Sequence, residues 1–290
     1  MTDAMMFTQK LGGSWFGRFG TAPCPVCQME TRKDQNALTV SQGQSGLLLH
    51  CKKSACAFFD VLQAAKEVLG ASSLILQTHP ATMRPNLQNI EKSVFAEKIW
   101  KIALPIEGTK AEAYLRSRGI KVALPAVLRY SPECRHPSRE IYPAMIAQIE
   151  GGEGSAVHRT YLAQSGVGKV LAEPQKAMLG QVSGGAVRLS EGAGPLVVAE
   201  GIESSLSLLC GLLNHSARVW AALSTSGIRG LRLPSNAGEL IVAADGDAAG
   251  QSAAFALASR ASALGWIVSF MNPPEGMDWN DVLQSKGGAA

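Results

Sequence analysis

The chain has 290 residues, of which 46% are hydrophobic and 17% charged, with a formal net charge of +4. This leaves room for two or three modules with packed cores, and no apolar run approaches the length of a membrane span. The first residues, MTDAMMFTQK, contain no apolar signal region, so the expected setting is cytoplasmic and reducing, where structural disulfides are improbable. Charge is unevenly spread. Residues 1–90 hold 8 Lys+Arg against 5 Asp+Glu, residues 91–190 hold 14 against 9, and residues 191–290 hold 5 against 9, or +3, +5 and −4. Basic segments beside an acidic one suit a protein that handles a polyanion, although solvated charged faces give the same counts.

Four of the six cysteines lie near the N-terminus: Cys24 and Cys27 in APCPVC, Cys51 and Cys56 in HCKKSAC. The first spacing is that of a zinc knuckle, and the second is slightly wider but within reach of one tetrahedral ion. Disulfide pairing is the alternative, disfavoured by the reducing setting. His50 could replace Cys51 as a ligand, and Cys51 is preferred because thiolates dominate structural zinc sites. Cys134 and Cys210 read as ordinary free thiols. A helix is expected from about Asp60, as N-cap, to Leu69, with Gly70 as its stop. The stretch THPATMRPNLQN then reads as linker. The expected boundaries are residues 1–70 for a zinc-binding domain, 71–92 for a linker, 93–194 for a basic subdomain and 195–290 for the C-terminal domain.

In the middle segment, Val94, Phe95, Ile99, Trp100 and Ile102 recur with helical spacing, and a second helix runs from Thr109 to Gly119. It should turn Tyr114 and Leu115 to the core and Arg116 and Arg118 to solvent or ligand. PAMIAQIE, GGEG and SAVHRTYL read as a β-hairpin that carries His158, Arg159 and Tyr161 on its second strand, followed by Lys169, Lys176 and Arg188. A lone His on a strand is more often structural than catalytic, so His158 is not assigned as a base. GVGKV lacks the leading Gly and the Ser/Thr after Lys of a P-loop, so no motor is visible.

The C-terminal third alternates strands at 195–199, 218–222, 239–244 and 266–270 with helices at 202–213 and 248–264, an α/β pattern with a largely parallel sheet. Glu200 closes the apolar run PLVVAE, and Asp245 with Asp247 closes ELIVAADGD. Carboxylates would gather at the C-terminal edge of one sheet, where open α/β folds place their sites. Such a group suits Mg²⁺, which takes one or two carboxylates and fills its remaining positions with water and phosphate oxygens. Asp278 and Asp281 in MDWNDVL would complete the acidic rim. Helix N-capping is the competing explanation for any single Asp. An EF-hand is excluded because Ala256 stands where its bidentate Glu belongs.

EGIESSLSL, ADGDAAG and DWNDVL together resemble the toprim domain of primases. The order of GGSWFGRFGTAPCPVC, LLLHCKKSAC and FDVLQAAKEVLG resembles the zinc-binding domain ahead of their catalytic core, and the hairpin with KAMLG resembles the subdomain before toprim. The closest likeness is to primase-like proteins of phages, plasmids and integrative elements. The resemblance implies an N-terminal zinc-binding module, a mixed α+β middle subdomain and a C-terminal toprim-like domain. It implies Mg²⁺ or Mn²⁺ held by Asp245 and Asp247, with Glu200 holding a second metal or taking part in proton transfer. Arg159, Lys176 and Arg118 become candidates for binding nucleoside triphosphate or template. The implied activity is primer synthesis on single-stranded DNA, with a separate replicative helicase as partner. A toprim nuclease and a non-catalytic single-stranded DNA-binding module of a mobile element's replication machinery are the alternatives.

Overall fold

A computed structural model of the protein describes residues 3–28, 36–43, 46–53, 56, 58–69 and 87–287. The chain divides into two compact units, Met1–Arg84 and Pro85–Ala290. The expected stop at Gly70 and most of the expected linker lie outside the described residues. The remainder of that linker, from Leu87 onward, is already helix.

The first unit begins with helix α1 (Asp3–Lys10) and continues through strands β1 (Ser14–Trp15), β2 (Phe19–Ala22), β3 (Leu38–Gly43) and β4 (Gly46–Cys51) to helix α2 (Phe58–Leu69). The four strands form an antiparallel sheet in chain order. Alternation along them sends Ala22, Leu38, Val40, Leu47 and Cys51 inward, against Phe7 of α1 and Val61 of α2. The outer face carries Phe19, Leu48 and His50, all exposed.

The second unit opens with helix α3 (Leu87–Ile102), strand β5 (Leu104–Pro105) and helix α4 (Lys110–Ser117). Thr109 caps α4 by accepting from the Ala111 and Glu112 amides, and Gly119 follows it at φ +78°, a conformation that glycine adopts without steric cost. Strands β6 (Leu128–Arg135), β7 (Ile141–Ile149), β8 (Ala156–Tyr161) and β9 (Lys176–Gly180) join β5 in an antiparallel sheet, again in chain order. The β7–β8 pair is the expected hairpin. In α3 the buried stripe differs from expectation: Ala96, and Ala103 just past the helix end, are buried with Ile99 and Trp100 partly so, while Val94, Phe95 and Ile102 are exposed. Small residues at the contact let the helix lie close on the sheet, which hydropathy alone does not reveal.

The last sheet has the order β10-β12-β11-β13-β14, built from β10 (Val187–Arg188), β11 (Leu196–Ala199), β12 (Arg218–Ala221), β13 (Glu239–Ala243) and β14 (Ile267–Phe270). All neighbours are parallel except β10, which runs antiparallel to β12. Helices α5 (Ile202–Ser207), α6 (Thr225–Gly230), α7 (Ala248–Ala263) and α8 (Trp279–Gly287) connect and follow these strands. Every residue of β11 is buried, as the central strand of a parallel sheet requires. Each Leu or Val so placed contributes roughly 1.5–3 kcal/mol over an exposed one. The helix expected over 202–213 loosens after Ser207 into a wide turn, Leu208–Leu212, with Gly211 at φ +94°.

The two sheets of this unit share one core. Ile106, Tyr114, Leu115 and Met145 pack in the same cluster as Val187, Leu189, Ile202 and Leu206. The segments on either side of the expected boundary at residue 194 thus pack against each other. That common core brings the basic segment against the acidic strand edge.

Candidate functional site

The α/β sheet builds its site by register. Ala199 of β11 pairs with Ala243 of β13, so Glu200 leaves one strand beside the point where Ala244 and Asp245 leave the other. Gly250 allows the turn that follows: a Cβ there would sit 2.6 Å from the Asp245 carbonyl oxygen. Asp247 caps α7, its Oδ1 accepting from the Gly250 amide at 2.6 Å. The capping explanation thus holds for one oxygen of Asp247, and the residue is exposed.

Asp278 is delivered to the same edge by a second loop. The Gly246 amide donates to the Met277 carbonyl at 3.0 Å and the Gly276 amide donates back to Gly246 at 3.1 Å. Trp279, 5% exposed, donates its indole N–H to the Ala243 carbonyl at 3.0 Å. Asp278 and Asp281 cap α8 reciprocally: Asp278 Oδ1 accepts from the Asn280 and Asp281 amides, and Asp281 Oδ2 accepts from the Asp278 amide. Asp278 still acts on Asp245 electrostatically. Asp281 is turned to the helix start.

Burial, then Glu200, Asp278 and Asp247, push the Asp245 carboxyl up to about 7, with Lys176 opposing them. Burial and Asp247 likewise raise Glu200. Carboxylates near enough to raise one another in this way are the donor set a hard divalent cation stabilises in ionised form. The only group of three or more potential ligands among the described residues that closes around one point is the cysteine cluster. With the Asp245 and Glu200 carboxyls both raised, the acids fit a cation that takes one or two carboxylates and leaves its other positions to water and phosphate, as Mg²⁺ does.

Lys176, at the start of β9, and Lys169, in the loop before it, converge on Glu203 in the first turn of α5. Lys176 Nζ donates to Oε2 at 3.0 Å and Lys169 Nζ lies 3.5 Å from Oε1. The Tyr114 hydroxyl donates to Oε1 at 2.6 Å. Burial opposes the charge on Glu203, yet the two lysines and the tyrosine hold its carboxyl well below the usual range. Sequence reasoning missed Glu203. No local signal marked it: IESSLS reads as an ordinary helix start, and only the structure shows that its six residues are all buried. Lys169 sits in the GVGKV stretch, which is a loop before a strand and so has no P-loop helix behind it.

The other expected residues fall in different settings. Arg159 is 7% exposed on β8, its Nη1 donating to the Arg135 carbonyl at 3.2 Å and its guanidinium 5.7 Å from the Tyr161 ring centroid. It is engaged inside the fold. Arg118, at the end of α4, lies near enough to Tyr114 to act on its hydroxyl. His158 is buried and its ring held neutral, its pKa lowered to about 3 by burial and by Lys176, Lys169 and Arg159. It cannot serve as a base that cycles near neutrality.

In the first unit, the sulfurs of Cys24, Cys27, Cys51 and Cys56 all lie within 4.8 Å of one another, with Cys27 and Cys51 at 3.5 Å. Gln28 braces the first pair, its Oε1 accepting from the Cys24 and Ala37 amides. Burial and the three other thiols push Cys56 up to about 12. Four crowded sulfurs fit a tetrahedral S₄ zinc site. Strand alternation sends His50 to the opposite, exposed face, so Cys51 completes the group. On that outer face the Phe16 and Phe19 rings lie 5.6 Å apart.

Residues 195–289 match the family model of a toprim domain, and residues 91–189 match a domain of unknown function (DUF7146). No curated protein matches the chain. Among solved structures, it is similar to the zinc-binding and RNA polymerase domains of the Aquifex aeolicus primase, at 15% identity over 98% of this chain and 80% of that one, TM-score 0.41. It is similar to the RNA polymerase domain of the Mycobacterium tuberculosis primase DnaG, at 16% identity over 70% and 79%, TM-score 0.36. It is also similar to the primase fragment of the bacteriophage T7 primase-helicase protein, at 19% identity over 50% and 63%, TM-score 0.33.

Proposed function

Residues 195–289 being a toprim domain, we propose that the chain is a DNA primase, joining nucleotides into short primers on single-stranded DNA by Mg²⁺-dependent nucleotidyl transfer. The observation that carries this reading is the meeting of opposite charges at one sheet edge: Lys176 from the antiparallel sheet acts on Glu200 and Asp245 at the ends of the α/β strands, with Asp247 and Asp278 beside them. Acids alone would serve a metal. Acids with a lysine pair alongside serve a metal and a polyphosphate together.

Mg²⁺, or Mn²⁺, held by Asp245 and Asp247 would supply charge stabilisation to the triphosphate as its bond to the leaving pyrophosphate breaks. Glu200, its carboxyl raised above the ordinary range, accepts the proton of the attacking 3′-hydroxyl. Lys169 and Lys176 neutralise phosphate oxygens, and Arg118 adds a cation at the end of α4. Asp281 stays at the helix cap, and Arg159 supports the sheet beneath the lysines. A structural zinc on Cys24, Cys27, Cys51 and Cys56 would tie the N-terminal sheet together. Its outer face offers Phe16, Phe19, Leu48 and His50, with Arg18 beside them, as a surface on which single-stranded template bases stack.

The protein would act in the cytoplasm with a separate replicative helicase. Among the described residues no helix is long and apolar enough to cross a membrane. Incubation with single-stranded DNA, labelled nucleoside triphosphates and Mg²⁺ tests the proposal, with short template-dependent products expected. Strand cleavage without added nucleotides would instead identify a nuclease, and binding with neither reaction a non-catalytic module.

A further inference from the structure

Glu203 is a buried carboxylate without a place in the chemistry above. It is 5% exposed and three residues beyond Glu200, in the first turn of α5, and three side chains from other elements converge on its carboxylate. Tyr114 reaches it from α4, Lys169 from the loop before β9 and Lys176 from β9 itself. Its two oxygens are divided between the lysines, Oε2 to Lys176 and Oε1 to Lys169 and Tyr114. Both ammonium groups keep part of their surface, with side-chain exposures of 27% for Lys169 and 36% for Lys176. Each has three donors and uses one on Glu203. Two like charges on flexible stems would otherwise separate.

We propose that Glu203 is a positioning residue that fixes Lys169 and Lys176 as a pair, so that their remaining donors receive the polyphosphate of the incoming nucleotide in one set place beside the acidic edge. The helix supports this placement. Ser207 Oγ donates to the Glu203 carbonyl at 2.8 Å and in turn accepts from Asn280 Nδ2 at 2.9 Å, so α5 is anchored to α8 as well as to α4. A lysine pair held by a buried anion differs in effect from two free lysines. Removing the anion keeps both cations in the chain but lets them separate, and makes the local charge more positive, so attraction for phosphate persists while the position of the phosphate is lost. Position governs turnover, and a misplacement of about 1 Å can cost roughly a hundredfold in rate.

This inference rests on the primase reading, and its test separates the two. Wild type, Glu203→Gln and Tyr114→Phe are compared for Mg–ATP binding by calorimetry without template, and for kcat and KM in primer synthesis, with thermal unfolding as a check on folding. Glu203→Gln should bind Mg–ATP as tightly as wild type or more so, with kcat lower by at least tenfold. Tyr114→Phe keeps the carboxylate charge and removes only the hydrogen bond that orients it, and should lower kcat about threefold with binding unchanged. Wild-type kcat in both variants overturns the proposal, and so does a loss of binding in step with kcat in the variants that fold. If Glu203→Gln does not fold, Tyr114→Phe decides alone. If wild type makes no primers, the primase reading fails by itself and the lysine pair is judged on binding. In that case a tenfold weakening of Mg–ATP by Lys169→Met and by Lys176→Met sustains the pair as a polyphosphate seat, and unchanged affinity removes it.

Discussion

The side-chain amide of Asn280 donates to the main-chain carbonyl of Arg118 at 2.8 Å, joining residues 162 positions apart. Asn280 is fully buried, and its other amide hydrogen goes to Ser207 Oγ. It therefore ties the last helix to the end of α4 and to α5, which are the elements that carry Arg118 and Glu203.

Replacing Asn280 by Ala leaves a buried carbonyl and a buried hydroxyl without their donor. A loss of about 1–3 kcal/mol in unfolding free energy is expected, read from chemical denaturation. The Asp278–Asp281 cap does not depend on this side chain, so helix α8 should persist in circular dichroism. An unchanged midpoint would show that the linkage carries no stability.

Zinc gives the second prediction. The N-terminal unit has a small core in which two of the buried residues are cysteines, so its fold should depend on metal. Cys24→Ser or Cys56→Ser should release about one zinc per chain and loosen this unit, while the second unit keeps its unfolding transition. Elemental analysis showing full zinc retention in both variants would contradict the ligand set.

A third prediction concerns pH and His158. The folded pKa is depressed to about 3, below the unfolded value near 6.5, so between these values the unfolded chain binds more protons. Stability from the neutral ring is complete above pH 6.5 and is lost as pH falls toward 3. From pH 7 to pH 5 this amounts to about 2 kcal/mol. Asp245, raised to about 7, acts in the opposite sense over the same range, so the effect is read as a difference between proteins. The wild type should lose about 2 kcal/mol relative to His158→Gln on going from pH 7 to pH 5. A constant difference across that range would mean that the ring takes up its proton equally in the folded and unfolded states, so that burial does not depress it.

Arg159 yields the fourth. A phosphate contact would add about one to the slope of log affinity for single-stranded DNA against log salt. With its guanidinium buried against the Arg135 carbonyl and Tyr161, Arg159→Ala should leave that slope unchanged and lower the unfolding midpoint. A slope smaller by one would return Arg159 to the nucleic-acid surface.

The parallel sheet, the hairpin and the cysteine group were legible because their signals are local. PLVVAE and ELIVAA are apolar runs ending in acids, the GGEG turn separates two alternating strands, and the cysteines have metal-ligand spacing. What escaped was nonlocal. The strand Val187–Arg188 is two residues long and is defined by its pairing with Trp220 and Ala221, which no window around it contains. Glu203 reads as an ordinary first-turn acid until Lys169, Lys176 and Tyr114 are brought to it from three other elements. The burial of Arg159 on β8 was likewise not legible, because a basic residue on a strand carries no mark of which side is covered. Asp278 and Asp281 looked like a matched pair, and the fold separates them: both cap α8, and only Asp278 also acts on Asp245.

The central claim is that the carboxylates at the strand edge perform nucleotidyl transfer, and it is tested most directly by primer synthesis in Asp245→Asn, Asp247→Asn and Glu200→Gln. These changes keep size, and Asn still caps α7 at position 247, so the fold should survive. Losing one metal carboxylate removes roughly several kcal/mol of transition-state stabilisation, or orders of magnitude in rate. With labelled nucleotides, single-stranded DNA and Mg²⁺, wild type should make short primers and each variant essentially none, while all four proteins still bind the DNA. Primer synthesis by the three variants at the wild-type rate would contradict the account and locate the chemistry elsewhere in the chain.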